Sequence, residues 1–227
     1  MNGDYEAVIF DMNGVLMNSA AMWKGTDWEM QNGIPAGSLM RVLFSEQFRR
    51  QSKTLFSGAI SAETFDSTIF QALFEQIVGK SYLDGRRRQS FHVLSDWYPS
   101  DPTQGVVFEE MMRAVKLLKR RGYGTALLTN NYFIDDAKQK PTVHVDTSNF
   151  DVVVESCRLG ICKPDERIYK FTLDRLEVPA EKSIFIDDSK TFCDAASRLG
   201  ITTIHVNKGD TDAALKQLEE LLNVPLR

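Results

Sequence analysis

The run Ala7-Val8-Ile9-Phe10, followed by Asp11-Met12-Asn13-Gly14-Val15-Leu16, constrains the fold of this chain more than any other stretch. Four apolar residues in succession, without polar alternation, are the pattern of a strand covered on both faces, as strands of a parallel sheet are. The strand ends on a carboxylate and the chain then turns at a glycine. Three further runs of this kind, Thr125 to Leu128, Val152 to Val154 and Ser183 to Ile186, repeat the pattern. A fifth, Ile201 to Val206, follows Gly200, and helical periodicity lies between the later runs. Strands alternating with helices predict an open parallel α/β sheet.

The helices have readable ends. Phe108 to Lys119 places Met111, Met112, Val115 and Leu118 at helical spacing before Arg120-Arg121-Gly122, a basic last turn with a glycine stop. Asp165 to Leu176 carries an inner stripe of Ile168, Phe171, Thr172 and Leu176, and Ala213 to Leu222 turns Leu215, Leu218, Leu221 and Leu222 inward. Between Leu16 and about Pro99 the composition shifts to aromatics and helix formers without a buried strand, over a length no loop would have. Within it, Ser61 to Val78 reads as one amphipathic helix with Phe65, Ile69, Phe70, Leu73, Phe74, Ile77 and Val78 on its apolar face. The expected organisation is an α/β core of residues 1–16 and 100–227 with an all-helical insert of residues 17–99, and Tyr98-Pro99-Ser100-Asp101-Pro102 as the return linker.

With 227 residues, 43% of them hydrophobic and 26% charged, the chain can bury a sizeable core. A net charge of −4 gives no basic field for nucleic acid, and Arg86-Arg87-Arg88 is too short to change that; it reads as a solvated turn. The first residues show no basic-then-apolar leader pattern, and no apolar run approaches the roughly 20 residues that span a bilayer, so a cytoplasmic location is expected. Cys157, Cys162 and Cys193 are odd in number and lack the paired spacing of a zinc site, which predicts reduced thiols.

The chemistry gathers at strand ends. In open parallel sheets, ligands bind outside the carboxyl ends of the strands, and three of those ends carry Asp11, Thr129-Asn130 and Asp187-Asp188. A carboxylate that attacks a phosphate meets another anion; two such charges at about 4 Å repel by roughly 4 kcal/mol at an effective dielectric of 20. Mg²⁺, held by Asp11, Asp188 and phosphoryl oxygens, would offset that repulsion, and Lys163 in Gly160-Ile161-Cys162-Lys163-Pro164 would add a fixed positive charge. The Thr129 hydroxyl and nearby backbone N–H groups would cradle the remaining oxygens.

Taken in order, Asp11-x-Asn13-Gly14-Val15-Leu16, Leu127-Leu128-Thr129-Asn130, Lys163-Pro164 and Phe185-Ile186-Asp187-Asp188-Ser189 resemble the four motifs of the haloacid dehalogenase superfamily. More narrowly, Thr129 to Tyr132, Phe150-Asp151 to Gly160, and Lys163 to Tyr169 resemble the N-terminal phosphatase domain of soluble epoxide hydrolase and its relatives. The resemblance implies a Rossmann-like core with a helical cap inserted after the first motif, and a Mg²⁺-dependent phosphatase acting through an aspartyl-phosphate. By position, Asp11 is then the nucleophile; Thr129, Asn130 and Lys163 hold phosphate. Asp188 is the direct metal ligand, Asp187 its neighbour or supporting partner, and Asn13 supplies its backbone carbonyl to the metal. Relatives carry a second aspartate where this chain has Asn13, and an amide cannot serve as the general acid and base. Losing such a group typically costs about 10²- to 10⁴-fold in rate, so weak turnover of simple phosphate monoesters is expected.

Two other functions fit the same residues. One is a catalytically silent phosphate-binding or regulatory module that kept the pocket. The other is carbon–halogen hydrolysis, which needs no acid at position 13; it ranks third because the Asp187-Asp188 pair would serve no purpose there and would repel a carboxylate substrate. The expected partner is a small phosphorylated molecule whose remaining part could be apolar, and an oligomer is compatible with all of this. His92, His144 and His205 lack partners at ligand spacing and read as structural or surface residues. Trp23, Trp28, Trp97 and the phenylalanines of the insert read as core filling or as the lining of an apolar substrate pocket.

Overall fold

The structure, a computed structural model, describes residues 5–18, 25–82, 92–95, 107–139, 142–143 and 145–227. Strands β1 (Ala7–Phe10), β2 (Gly124–Thr129), β3 (Val152–Glu155), β4 (Ser183–Asp187) and β5 (Thr202–His205) form one parallel sheet in the order β3-β2-β1-β4-β5. Between β1 and β2 lie the helices α1 (Gly25–Gln31), α2 (Ser38–Leu43), α3 (Glu46–Phe56), α4 (Ala62–Phe65), α5 (Gln71–Ile77) and α6 (Glu109–Arg120). Helices α7 (Ser156–Leu159) and α8 (Glu166–Leu176) join β3 to β4, α9 (Lys190–Ser197) joins β4 to β5, and α10 (Thr211–Leu222) follows β5. None of the helices among the described residues is long and apolar enough to cross a membrane.

The chain builds outwards from β1 through β2 and β3, then returns to the other side of β1 for β4 and β5. The switch leaves a crevice outside the carboxyl ends of β1 and β4, where such sheets bind ligands. Side chains leave the strands alternately. Val8, Phe10, Leu127, Ile184, Ile186 and Ile204 pack with Met111, Met112, Val115 and Leu118 of α6 and Leu215 and Leu218 of α10. On the opposite face Ile9, Ala126, Leu128, Val154 and Phe185 pack with Ile168, Tyr169 and Leu173 of α8 and Ala195 and Ala196 of α9. The inner stripe of α8 is therefore shifted from the expected one: Tyr169 and Leu173 are buried, whereas Phe171 and Leu176 are only partly so. Full coverage on both faces holds for the central strands, while the edge strands β3 and β5 are half open. Gly122 stops α6 in the left-handed region at φ +84°, as its place after a basic last turn predicts.

The residues between Ile34 and Leu94 contribute a separate apolar cluster, with Leu39, Val42, Phe48, Leu55, Phe65, Phe70, Leu73 and Phe74 buried in it. Trp28 leans on Phe74 edge to face, and Phe48 meets Phe65 and Phe70 in the same way. Trp23, Trp97, His144, Arg86 to Arg88 and the linker Tyr98 to Pro102 lie outside the described residues. The loop leaving β2 ties this cluster down over the sheet's carboxyl end. Asp136 accepts hydrogen bonds from the hydroxyls of Ser61 (2.5 Å) and Thr64 (2.8 Å), Lys138 donates to the carbonyls of Gly58 and Ala59 at 2.8 Å each, and the Tyr132 hydroxyl donates to the Leu94 carbonyl at 3.0 Å.

The stretch Ser61 to Val78 is not one continuous α-helix: a π turn, Asp66–Phe70, separates α4 from α5. Asp66 lies in that turn, fully buried, and its carboxylate accepts from the backbone amides of Val93, Leu94 and Ser95 and from the Ser95 hydroxyl at 2.9 to 3.1 Å. No periodicity announces this, because the partners are some 27 residues further on. Burial raises the Asp66 carboxyl to about 6, against the amide hydrogen bonds that favour its charge. Between about pH 4 and pH 6 the folded chain holds a proton here that the unfolded chain has released. This residue's contribution to stability is therefore greatest below that window and is lost as pH rises through about 6, by roughly 3 kcal/mol at most. Urea unfolding at pH 4.5 and 7.5 should show a smaller difference in Asp66→Asn than in the parent chain; an identical difference would refute the assignment.

Candidate active site

Lys163 is the centre of the site. It sits in the turn after α7, which Gly160 ends in the left-handed region at φ +80°. Its buried ammonium donates to Asp11 Oδ1 at 2.8 Å, to Asp187 Oδ2 at 2.7 Å and to the Leu128 carbonyl at 3.1 Å, one acceptor for each hydrogen. The rings of Phe185 and Phe192 stand 5.4 and 5.1 Å from the same nitrogen, at cation–π range. Asn130 fixes the turn: Lys163 N–H donates to its Oδ1 at 2.8 Å, and its Nδ2 donates to the Lys163 carbonyl at 3.0 Å. That uses one of the two amide hydrogens Asn130 can offer.

The three carboxylates differ in how they are held. Asp11 follows β1, and its N–H donates to the Ile186 carbonyl at 2.9 Å, which locks it to β4. Burial raises its carboxyl to about 6 against the opposing pull of Lys163, with Asp187 pushing the same way as burial. Asp187 is fully buried and has both oxygens engaged, Oδ2 by Lys163 and Oδ1 by the Ser189 N–H at 2.7 Å. Burial raises it too, opposed by Lys163. Asp188 opens to solvent at the rim, yet loss of hydration on its protein side, followed by the Asp11 charge, raises it to about 6.

Asp11, Asp187 and Asp188 each offer an oxygen within 4.8 Å of the others. Three carboxylates against one ammonium leave two negative charges in a poorly solvated space, and an all-oxygen donor set suits a hard divalent cation. The residues present therefore fit Mg²⁺. Thr129, at the end of β2, is fully buried, and its hydroxyl has no hydrogen-bond partner among the described residues. A buried hydroxyl left unpaired costs about 1–3 kcal/mol, which an oxygen-rich ligand would recover. Asn13 stands two residues past Asp11, partly buried, in a bridge with Met17, and Gly14 N–H donates to the Met17 carbonyl at 2.8 Å.

The structure thus gathers Asp11, Lys163 and Asp187 into one bonded set with Asp188 beside it and Asn130 behind Lys163. Two contacts at Asp188 were not legible in the sequence. Gly14, at φ +77°, faces the Asp188 carboxylate so closely that a Cβ on it would lie 2.4 Å from Oδ2. His205, which reads as a structural or surface residue in the sequence, is exposed and places Nε2 3.0 Å from the Asp188 carbonyl. His92 lies elsewhere, 3.5 Å from the Ser95 hydroxyl, and the three cysteines are free thiols.

A parallel sheet whose switch point carries this acid and lysine set defines a class, and the comparison with known proteins gives the family. Residues 5–200 match the haloacid dehalogenase-like hydrolases, and the chain belongs to that family. Among curated relatives, acyl-CoA dehydrogenase family member 10 of Mus musculus is 34% identical over 98% of this chain and 20% of its own length. Bifunctional epoxide hydrolase 2 of Sus scrofa, a relative of the kind the motifs suggested, is 28% identical over 97% of this chain and 39% of its own. The chain thus spans well under half of either relative. A solved family enzyme of Bacteroides thetaiotaomicron, in complex with magnesium and inorganic phosphate, shares the fold at 19% identity with a TM-score of 0.51, covering 88% of this chain and 93% of that one.

Proposed function

We propose that this chain is a Mg²⁺-dependent phosphohydrolase in which Asp11 attacks phosphorus and Asn13 leaves the proton transfers slow. The observation that carries the reading is the buried set of Asp11, Lys163 and Asp187 with Asp188 at its rim, beside the unpaired hydroxyl of Thr129. The Mg²⁺ complex of a protein with this fold supports the choice of metal. Asp11, Asp188 and the Asn13 carbonyl would hold the ion, with Asp187 supporting them, and the ion would offset charge on the phosphoryl oxygens. Lys163 keeps Asp11 ionised and aligned, Asn130 keeps Lys163 in place, and Thr129 receives a phosphoryl oxygen. Asp11 attacks phosphorus, the ester bond breaks, and the departing oxygen leaves as an alkoxide or aryloxide because the Asn13 amide N–H is not acidic enough to transfer its proton.

In this reading residues 17–99 form a helical cap over the core of 1–16 and 100–227, and its aromatic cluster faces an apolar part of a small phosphorylated substrate. A phosphate-binding module without turnover is the second reading, favoured by Asn13 alone. Incubation with Mg²⁺ and an aryl or acyl phosphate, followed by mass spectrometry, separates them. Phosphate retained on Asp11 or released product supports the hydrolase; neither, in a chain that binds phosphate with Mg²⁺, leaves the module.

Gly14 supplies a further expectation. Any side chain here meets both a left-handed backbone, costing about 1–2 kcal/mol, and the Asp188 carboxylate. Gly14→Ala should turn that carboxylate aside and weaken Mg²⁺ binding by about 10- to 100-fold, the range for disturbed support of a metal ligand. Calorimetric titration with MgCl₂ checks this, and unchanged affinity would contradict it.

A further inference from the structure

We infer that His205 is a positioning residue for Asp188, a role that rests on the proposed part of Asp188 in holding Mg²⁺. Asp188 is the first residue beyond β4, where the sheet no longer supplies ladder partners and a backbone carbonyl must find another donor. Strand β5 provides it. Asp187 pairs with His205 in the register of the two strands; the Val206 N–H donates to the Asp187 carbonyl at 3.0 Å, and His205 Nε2 lies 3.0 Å from the Asp188 carbonyl. A carbonyl only accepts, so Nε2 carries the hydrogen.

The other end of the same peptide unit is held as well, because the Ser189 N–H donates to Asp187 Oδ1 at 2.7 Å. The 188–189 peptide is therefore pinned at its oxygen by His205 and at its nitrogen by Asp187. With the preceding carbonyl held by Val206, the backbone torsions that aim the Asp188 side chain are set on both sides. Gly14, having no side chain, leaves room for the carboxylate on its side. Of these restraints, only the imidazole comes from a side chain outside the acid and lysine cluster. It is exposed, so its replacement need not disturb the core.

The test compares the parent chain with His205→Ala and His205→Gln by calorimetric titration with MgCl₂, alongside metal-free thermal unfolding. Losing the imidazole hydrogen bond should weaken Mg²⁺ binding about tenfold, as for other groups that orient a metal ligand. Glutamine, which carries an N–H donor at similar reach, should restore most of the affinity, and the metal-free unfolding temperature should stay near that of the parent. Equal Mg²⁺ affinity in all three chains would overturn the role of His205 while leaving the metal site standing. A parent chain that binds no Mg²⁺ would instead overturn the reading of the site itself. Loss in both variants alike, with lowered metal-free stability, would mean that His205 only braces the fold, and the inference would fail.

Discussion

Replacing Asn13 with aspartate is expected to raise hydrolysis of alkyl phosphate esters by about 10²- to 10⁴-fold, the usual worth of a positioned general acid and base. Position 13 lies two residues beyond Asp11, at the mouth of the turn closed by Gly14. Under the proposed mechanism a carboxyl group there would protonate a departing alkoxide and then deprotonate the water that attacks an aspartyl-phosphate. Aryl and acyl phosphates, whose leaving groups depart without a proton, should gain less in the first step. The measurement is phosphate release with Mg²⁺ from matched alkyl and aryl substrates by both chains. Equal rates for the two chains on the alkyl ester would mean that the missing proton carrier is not what limits turnover.

Removing the Lys163 ammonium should have the largest effect on stability. It bridges Asp11 and Asp187 in the interior, and taking away one partner of a buried ion pair costs about 3–5 kcal/mol because the other charge is left uncompensated. Lys163→Met keeps the length of the stem and isolates the loss of charge. Without it, both carboxyls should hold their protons to still higher pH in the folded chain. The folded form then binds more protons than the unfolded one over a wide range, so the destabilisation should be greatest at pH 7.5 and ease as pH falls through the raised values. Urea unfolding at pH 7.5 and 5.5 checks the sign. Under the proposed mechanism the same variant should also lose phosphorylation of Asp11, since no ammonium then keeps that carboxylate ionised and aligned. A variant as stable as the parent at pH 7.5 would show that the three charges are not coupled as their distances require.

Much of this was legible along the chain because hydrophobic periodicity is a local signal. Each of the five strands lies within two residues of a β-branched or apolar run, and the three central ones, covered on both faces, show no polar alternation. Helices α6 and α10 follow their stripes, apart from the half-buried Leu221, and end at Gly122 and Asn223, whereas α8 forms where expected but turns Tyr169 and Leu173 inward in place of Phe171 and Leu176. The individual helices α1, α2 and α3 and helix α9 were not marked out in the same way, being short or built of mixed residues. The break at Asp66 was hidden because an apolar face read at helical spacing cannot show a carboxylate reaching to the amides of residues 93 to 95.

What the residue order determined by itself is the parallel sheet and the acids at the ends of its strands, for these follow from runs of neighbours and from the rule that the chain opens at carboxyl ends. What only the tertiary structure decided is which groups touch. Lys163 meets Asp11 across 152 residues of chain, a Gly14 without a side chain admits Asp188, and His205 grips the carbonyl just past the end of the neighbouring strand. Such contacts depend on strand order and register, which are settled only when the two faces of the sheet are packed, and no local pattern encodes them.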